Sequence, residues 1–201
     1  MAVSAEQHRS ANLNKYTTGN KLYRWHMETF HDHVAGLVSG LNPSSLLDVG
    51  CGEGFLAANL HSRMPGVAIS GVDASEGAIT FARSEFGDAA VFETGDIFDL
   101  RFADNAIDVV LCSEVLEHLH DPASAIREMM RVAKVGLVLT VPLEPYFKFF
   151  NDIARALRIS PDPEHVQFWR HDAWKRFVSG ICPNATFTTL HYYQTAVCRL
   201  A

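Results

Sequence analysis

The sequence lacks several features that would mark out whole classes of protein. No run of apolar residues is long enough to span a membrane, and the first eight residues contain no apolar signal core. Lysine and arginine form no cluster, and the formal net charge is −6, which argues against a long nucleic-acid track. We therefore expect a cytoplasmic protein, monomeric or homodimeric, without a membrane span, whose partner is a small molecule and not nucleic acid.

Cysteine is also scarce. The four cysteines, Cys51, Cys112, Cys182 and Cys198, are scattered, and no two of them form a C-x-x-C pair. This spacing predicts no disulfide framework. The apolar share of 48% is ordinary for a globular chain, and 201 residues are enough for one domain with an ample core.

Strand-like and helix-like segments alternate along the chain, which predicts an α/β fold with a parallel sheet covered by helices on both faces. Residues 107–112 and 136–141 are continuous apolar runs, typical of buried central strands. The other predicted strands cover residues 45–49, 67–73, 90–94, 186–193 and 196–200.

A glycine-rich turn follows the first predicted strand. Residues 46–54 read LLDVGCGEG, so that Asp48 stands two residues before the first of three alternating glycines, Gly50, Gly52 and Gly54. The spacing differs from the G-x-G-x-x-G pattern of dinucleotide sites. A fixed carboxylate beside such a turn would repel a pyrophosphate. It suits a ligand with a cationic group, such as an ammonium or a sulfonium.

Two further acids follow the next two strands. Asp73 ends the second strand, and Asp96 follows the third in the stretch Thr94-Gly95-Asp96-Ile97. Either acid alone could be a helix N-cap or a turn cap. Three acids at the ends of three consecutive strands, one of them with the glycine run, favour a cofactor site.

These residues resemble motif I and its neighbours in the class I S-adenosylmethionine-dependent methyltransferases, over about residues 46–142. The resemblance implies S-adenosylmethionine as cofactor and a Rossmann-like, doubly wound, seven-stranded sheet, mostly parallel with an antiparallel last strand. It implies that Asp73 binds the ribose hydroxyls and that Asp96 binds the adenine amino group, with Ile97 beside the ring. The remaining cofactor contacts that it implies are Asp48, Gly50, Cys51, Gly52, Gly54, Ala74, Ser113 and Glu114.

A second motif, E-x-x-E-H, follows the fourth strand as Glu114, Glu117 and His118. If this stretch is helical, the three side chains share one face and form half of a divalent-metal site. The motif resembles that of ubiquinone-biosynthesis-type O-methyltransferases. It also resembles small-RNA 3′-terminal 2′-O-methyltransferases, in which these residues bind metal with a later histidine, and His165 stands where that histidine would come.

The resemblance to the RNA-modifying family is incomplete. Residues 140–145 lack the asparagine-bearing pattern expected there, and the pI of about 5.9 is acidic for an RNA-binding enzyme. The alternative is that Glu114 and Glu117 only brace loops and the cofactor. We therefore predict that no metal is required and that His118 is a general base or orients the acceptor.

Two segments flank the core. Residues 1–42 are predicted to form a helical cover, because apolar residues recur every three or four positions between Tyr23 and Leu41. On position alone, Tyr16 and Arg24 are candidates for the methionyl carboxylate. Residues 43–142 would be the cofactor-binding core and 181–201 the final strands.

Residues 143–180 form a second predicted insertion, rich in aromatic residues. An insertion after the carboxyl end of a central strand lies beside the crevice of an open α/β sheet. We expect it to line an acceptor pocket through Tyr146, Phe149, His165 and Trp169. The leading interpretation is methyl transfer to a small molecule, with oxygen the favoured acceptor atom. The alternatives are a metal-dependent RNA 3′-end 2′-O-methyltransferase and a non-catalytic S-adenosylmethionine-binding subunit.

Overall fold

A computed structural model describes residues 21–144 and 165–200 of the chain, and in these ranges it contains one seven-stranded sheet. The strands are β1 (Ser45–Val49), β2 (Ala68–Asp73), β3 (Val91–Thr94), β4 (Ile107–Ser113), β5 (Ala133–Pro142), β6 (Thr186–Leu190) and β7 (Tyr193–Arg199). The helices are α1 (Lys21–Ser39), α2 (Phe55–Arg63), α3 (Glu76–Phe86), α4 (Pro122–Val132) and α5 (His171–Ser179). A 3₁₀ turn, Leu116–His118, follows β4.

The strand order is β3-β2-β1-β4-β5-β7-β6. Strands β1 to β5 are parallel to one another, whereas β7 runs antiparallel to both of its neighbours, β5 and β6. The predicted fold class is therefore confirmed, including the antiparallel last strand. Among the described residues, no helix has both the length and the apolar character needed to cross a membrane.

Local sequence explains where the helices begin. Ser75 precedes α3, and its side chain accepts a hydrogen bond from the backbone N–H of Ala78 at 3.2 Å. Asp121 precedes α4 and accepts from the N–H of Ser124 at 3.1 Å, with Pro122 in the first turn, where a missing N–H costs nothing. Both starts therefore carry residues of the types that most often precede a helix.

Each face of the sheet has its own hydrophobic core. On one face lie α1, α2 and α3, with the buried side chains of Phe30, Val34 and Val38 from α1. On the other face lie α4 and α5, with Met129 and Trp174 among the fully buried residues. The helix expected from the apolar repeat of residues 23–41 is thus present as α1 and packs on the sheet. The division of the chain into functional segments stays a prediction.

The last two strands differ from the sequence prediction. The predicted strand 186–193 is interrupted after Leu190 by a turn in which His191 has a positive φ of 53°. Strand β7 then begins at Tyr193, earlier than predicted, and pairs along β5 from Pro142 to Gly136. Strand β7 is longer than its apolar residues predicted because it pairs with β5 along this whole length. Each pair satisfies backbone N–H and C=O groups. The apolar pattern does not show which residues will pair.

Candidate functional site

The glycine turn is fastened to the end of β2. The N–H groups of Gly50 and Cys51 donate to the carbonyl oxygen of Val72 at 2.7 and 3.2 Å. Gly50 has a φ of +77°, and a Cβ placed on it would lie 2.3 Å from Cγ2 of Val115. Only glycine fits this position, because a side chain would be strained in its backbone and would collide with the residue after Glu114.

Asp48 lies buried beneath this turn, with 1% of its surface exposed. Neither carboxylate oxygen has a hydrogen-bond partner among the described residues. Burial, and secondly the charge of Asp73, raise the pKa of Asp48 from its ordinary 3.8 to about 7. A buried carboxylate is costly unless it is paired. Asp48 therefore fits a ligand that brings a cationic group to the turn.

Asp73 joins the turn to the start of α3. Its Oδ2 accepts a hydrogen bond from the N–H of Gly52 at 2.9 Å, and its Oδ1 accepts from the N–H of Ser75 at 2.8 Å. Each carboxylate oxygen has a second lone pair. The position is compatible with the role implied for the ribose hydroxyls, which stays a prediction, as does the contact implied for Ala74.

Asp96 follows β3 at the same edge of the sheet and is exposed. Its Oδ1 accepts from the N–H of Phe98 at 2.9 Å, and Ile97 packs partly against the core. The N–H of Gly95 donates to the carbonyl of Asp73 at 3.0 Å, which holds this segment beside the end of β2. The three acids therefore lie at or just beyond the carboxyl ends of the neighbouring strands β1, β2 and β3, as predicted.

The stretch after β4 is not the α-helix that the spacing of Glu114, Glu117 and His118 suggested. Glu114 has a φ of +58°, in the left-handed region, and the 3₁₀ turn begins only at Leu116. A non-glycine residue in this conformation costs on the order of 1–3 kcal/mol and is typical of functional sites. The expectation that Glu114, Glu117 and His118 share one face of a helix is therefore wrong.

Glu114 is held in this conformation by β5. Its N–H donates to the carbonyl of Thr140 at 3.1 Å, and its Oε1 accepts from the Thr140 hydroxyl at 3.1 Å. The same hydroxyl lies 3.0 Å from the hydroxyl of Ser113. This chain of hydroxyls and carboxylate fixes the Glu114 side chain at the carboxyl ends of β4 and β5.

Glu117, His118 and His165 come together on the other side of this stretch. The N–H groups of Val166 and Gln167 both donate to the carbonyl of Glu117 at 2.9 Å and hold the later segment against the 3₁₀ turn. The rings of His118 and His165 meet edge to face, with centroids 4.6 Å apart. The potential ligand atoms of the three residues all lie within 4.8 Å of one another.

This grouping includes three of the four metal ligands that the sequence suggested. Glu114 is not part of it, because its carboxylate is turned towards Thr140. Two imidazoles and one carboxylate are a donor set typical of zinc and other transition metals. The three side chains could therefore hold a divalent cation, and His118, exposed at the carboxyl edge of β4, could equally exchange a proton.

The predicted acceptor residues are only partly brought together. Trp169 is 9% exposed and stacks on Phe177 at 5.4 Å within the hydrophobic core, and its role in an acceptor pocket stays a prediction. The side chain of Gln194 donates to the Trp169 carbonyl at 2.8 Å, which fixes the backbone with the ring directed inward. Phe168, 56% exposed, lies 6.1 Å from the ring of His165 instead.

Other predicted residues are less informative. Arg24 lies near the start of α1 with an exposed side chain, and its role stays a prediction. Tyr16, Tyr146 and Phe149 lie outside the described residues.

Sequence reasoning assigned no role to Tyr192, which the fold brings to the same edge. Its carbonyl accepts from the N–H of Leu143 at 2.7 Å, so it lies where β5 ends. Its ring is 4.6 Å from that of His26 on α1. Burial, and secondly the charge of Glu114, raise the pKa of its phenol. No local motif predicts this position, because it depends on the pairing of β7 with β5.

Comparison with known proteins gives consistent results. Residues 47–141 match the profile of a family described as a methyltransferase domain. The ubiquinone biosynthesis O-methyltransferase of Vibrio vulnificus is 32% identical over 175 residues, which are 80% of this chain and 73% of that protein. The protein of that name in Alkalilimnicola ehrlichii is 37% identical over 114 residues, 52% of this chain and 43% of its own length.

The fold also matches solved structures. Magnesium protoporphyrin IX methyltransferase from Synechocystis PCC 6803, crystallised with bound S-adenosylhomocysteine, superimposes with a TM-score of 0.67 at 18% identity, covering 94% of this chain and 92% of that one. At this identity the likeness concerns the fold. The chain spans 43% to 56% of the length of three of the curated relatives that it matches.

Proposed function

The chain belongs to the class I S-adenosylmethionine-dependent methyltransferases, and we propose that it transfers a methyl group to an oxygen atom of a small molecule. The observation that carries this proposal is the buried Asp48 carboxylate, which has no hydrogen-bond partner among the described residues and lies beside a turn where only glycine fits. A ligand with a cationic group would compensate for this burial.

The cofactor would be held at the ends of β1, β2 and β3. We propose that the turn of Gly50, Gly52 and Gly54 lies against it and that Asp73 accepts hydrogen bonds from its ribose. Asp96 and Ile97 would bind the adenine. When bound, S-adenosylmethionine supplies an electrophilic methyl group on a positively charged sulfur. We also propose that six further residues contribute to this cofactor site: Cys51, Ala74, Ser113, Glu114, Arg24 and Tyr16.

The acceptor would lie at the ends of β4 and β5. Alignment of donor and acceptor can supply about 7–11 kcal/mol of the barrier, and a base supplies about 10²–10⁴-fold in rate. We propose His118 as the group that accepts the proton of an acceptor hydroxyl, since it is exposed at this edge. The relatives named as O-methyltransferases support an oxygen acceptor.

Two measurements test this function. Calorimetry should show binding of S-adenosylmethionine and S-adenosylhomocysteine and no useful binding of NAD. Methyl transfer from radiolabelled cofactor should then be measured against a panel of phenols, amines and RNA, with transfer expected to phenols first. Tight NAD binding without S-adenosylhomocysteine binding would overturn the assignment. Cofactor binding without transfer to any acceptor would support the non-catalytic subunit instead.

The grouping of Glu117, His118 and His165 favours a second candidate, a metal-assisted transfer. A divalent cation held by these residues would act on an acceptor oxygen in place of a base. If His118 acts as a base alone, chelation should leave activity largely intact, and His165→Ala should cost far less activity than His118→Ala. Loss of activity on chelation, its return with a divalent cation, and equal losses in both variants would establish the metal-assisted mechanism.

A metal-dependent RNA methyltransferase is less well supported. The net charge of −6 and the absence of basic clusters offer little to a phosphate backbone. A cytoplasmic location and a monomeric or dimeric state stay predictions.

A further inference from the structure

Two side chains of α4 form a bidentate ion pair beside the loop that joins β3 to β4. Nη2 of Arg131 lies 2.7 Å from Oε1 of Glu128, and Nε of Arg131 donates to Oε2 of Glu128 at 2.9 Å. The side chains are 33% and 15% exposed, respectively. Paired at two atoms each and largely removed from water, both side chains are held in one geometry. We call these two side chains the α4 clamp.

The α4 clamp holds the backbone of the loop through three further hydrogen bonds. Oε1 of Glu128 accepts from the N–H of Leu100 at 2.8 Å. Arg131 donates to the carbonyl of Leu100 at 2.9 Å and to that of Phe102 at 2.8 Å. Arg131 also donates to the exposed carboxylate of Asp104 at 2.8 Å. The position of this loop therefore depends on two side chains of a separate helix.

Asp96 begins a short turn that is fixed at both ends. Before it, the N–H of Gly95 donates to the carbonyl of Asp73 at 3.0 Å, at the end of β2. After it, the N–H of Asp99 donates to the carbonyl of Asp96 at 3.1 Å, and the α4 clamp holds the next residue, Leu100, through its N–H and its carbonyl. The side chain of Leu100 is buried in the core as well.

We propose that the α4 clamp positions Asp96 to accept a hydrogen bond from the amino group of adenine. This inference deepens the cofactor site of the proposed function and rests on it. Connecting loops are generally more mobile than the elements that they join, whereas a binding group has to be held within about 0.5 Å of its working place. Glu128 and Arg131 act through Asp96, so they are positioning residues that select the base.

Two ligands that differ at one position of the base test the proposal. S-adenosylhomocysteine carries an amino group there, whereas S-inosylhomocysteine carries a carbonyl oxygen, which a carboxylate repels. Calorimetry measures the binding of both and needs no turnover. We expect the wild type to prefer S-adenosylhomocysteine by about tenfold to a hundredfold, the effect of a hydrogen bond to a charged group, and Asp96→Ala to lose this preference.

Arg131→Lys should reduce the preference to about threefold or less, because lysine keeps the charge but cannot fork between Glu128 and the loop carbonyls. The loss should fall on S-adenosylhomocysteine, while the affinity for S-inosylhomocysteine should stay nearly unchanged. The matched control is Arg127→Lys, an exposed position one turn earlier on α4, which should keep the wild-type preference. Glu128→Gln, which keeps the shape of the side chain, should reduce the preference less than Arg131→Lys does.

The double variant Asp96→Ala/Arg131→Lys separates positioning from a general effect on the fold. If Arg131 acts through Asp96, its effect on S-adenosylhomocysteine affinity should largely disappear once the Asp96 carboxylate is absent. If Arg131 only stabilises the fold, the two losses should add. Hydrogen exchange of the ligand-free protein should become faster at the N–H of Leu100 in Arg131→Lys, and urea unfolding shows that each variant is folded.

Several results would overturn the inference: an unchanged preference in Arg131→Lys, equal weakening of both ligands, additive losses in the double variant, or unchanged exchange at Leu100. Wild-type protein that binds both ligands equally would overturn it too, while leaving the proposed function intact. The proposed function fails separately. If both ligands behave as expected but no acceptor is methylated, the positioning of Asp96 stands and the methyl-transfer assignment does not.

Discussion

On the side of β1 and β2, the candidate site is built from backbone and carboxylates within one short stretch, whereas on the side of β4, β5 and β7 it is built from side chains far apart in sequence. Asp48 and the glycine turn need only Val72 and Asp73, at the end of the next strand. Glu114 depends on Thr140, and His118 depends on His165. A local sequence motif therefore identifies the first side, whereas the second side forms only when segments distant in sequence fold together.

The difference also concerns what the two sides must do. A ligand common to a large family can be bound by fixed backbone and acids, which vary little in position. An acceptor that differs between relatives is better met by side chains on separate segments, because each can change alone.

The largest expected effect is a loss of turnover that leaves cofactor binding intact, which would assign catalysis and cofactor binding to different sides of the site. His118→Ala should lower turnover with a phenolic acceptor by about 10²–10⁴-fold, because it removes the proposed base, and should leave cofactor affinity unchanged. His120→Ala, an exposed histidine two residues further on, is the matched control and should have little effect. Single-turnover methyl transfer gives the rate. A wild-type rate in His118→Ala would remove this residue from the mechanism.

Gly50→Ala tests the place where the two sides touch, because the new methyl group would lie 2.3 Å from Val115. The left-handed backbone and the collision together should destabilise the fold by about 2–5 kcal/mol and displace the stretch that carries Glu114. Urea unfolding measures the change. Gly66→Ala is the control, since its φ is +94° but nothing lies within 4 Å of the added atom, and it should cost about 1–2 kcal/mol. Equal losses would show that the contact with Val115 is unimportant.

Asp73→Ala should weaken cofactor binding by about tenfold to a hundredfold, the effect of losing hydrogen bonds to a charged group. Part of this loss would come from the Gly52 N–H, which loses its acceptor as well. Calorimetry with S-adenosylhomocysteine measures it, and acceptor binding to the remaining complex should change little. If a folded variant bound the cofactor with unchanged affinity, Asp73 would only cap the turn and would not bind the cofactor.

The smallest expected effect is the change in cofactor affinity for each unit of pH. The pKa of Asp48 is about 7 in the ligand-free fold and 3.8 ordinarily, so between these values the folded chain holds a proton that the unfolded chain has released. Through this group, stability falls as pH rises from about 4 to 7. A cationic ligand favours the ionised carboxylate, so cofactor affinity should rise with pH, by up to about tenfold per unit, and level off above 7.

Calorimetry between pH 5.5 and 8 tests this dependence, and thermal melting tests the stability. Asp48→Asn should flatten the affinity profile and should stabilise the ligand-free protein above pH 7, since an amide has no charge to bury. If the cofactor affinity of Asp48→Asn changed with pH in the same way as that of the wild type, another group would be responsible for the dependence.

Much of the fold could be predicted because its signals are local. The apolar runs of β4 and β5 and the start of α3 at Ser75 follow from the sequence within a few residues of each element. The ends of β6 and β7 could not be predicted in the same way, because a pairing with β5 decides where β7 begins.

By itself the sequence determined the glycine turn, the acids at the ends of β1, β2 and β3, and the family to which they belong, because neighbouring residues and strand ends encode them. Only the tertiary structure decided that Glu114 takes a left-handed conformation against Thr140, that Trp169 is part of the core, that His165 packs against His118, and that Tyr192 lies beside the end of β5. The physical reason is that these positions depend on hydrogen bonds and packing between segments distant in sequence, and no periodic pattern in the chain records such contacts.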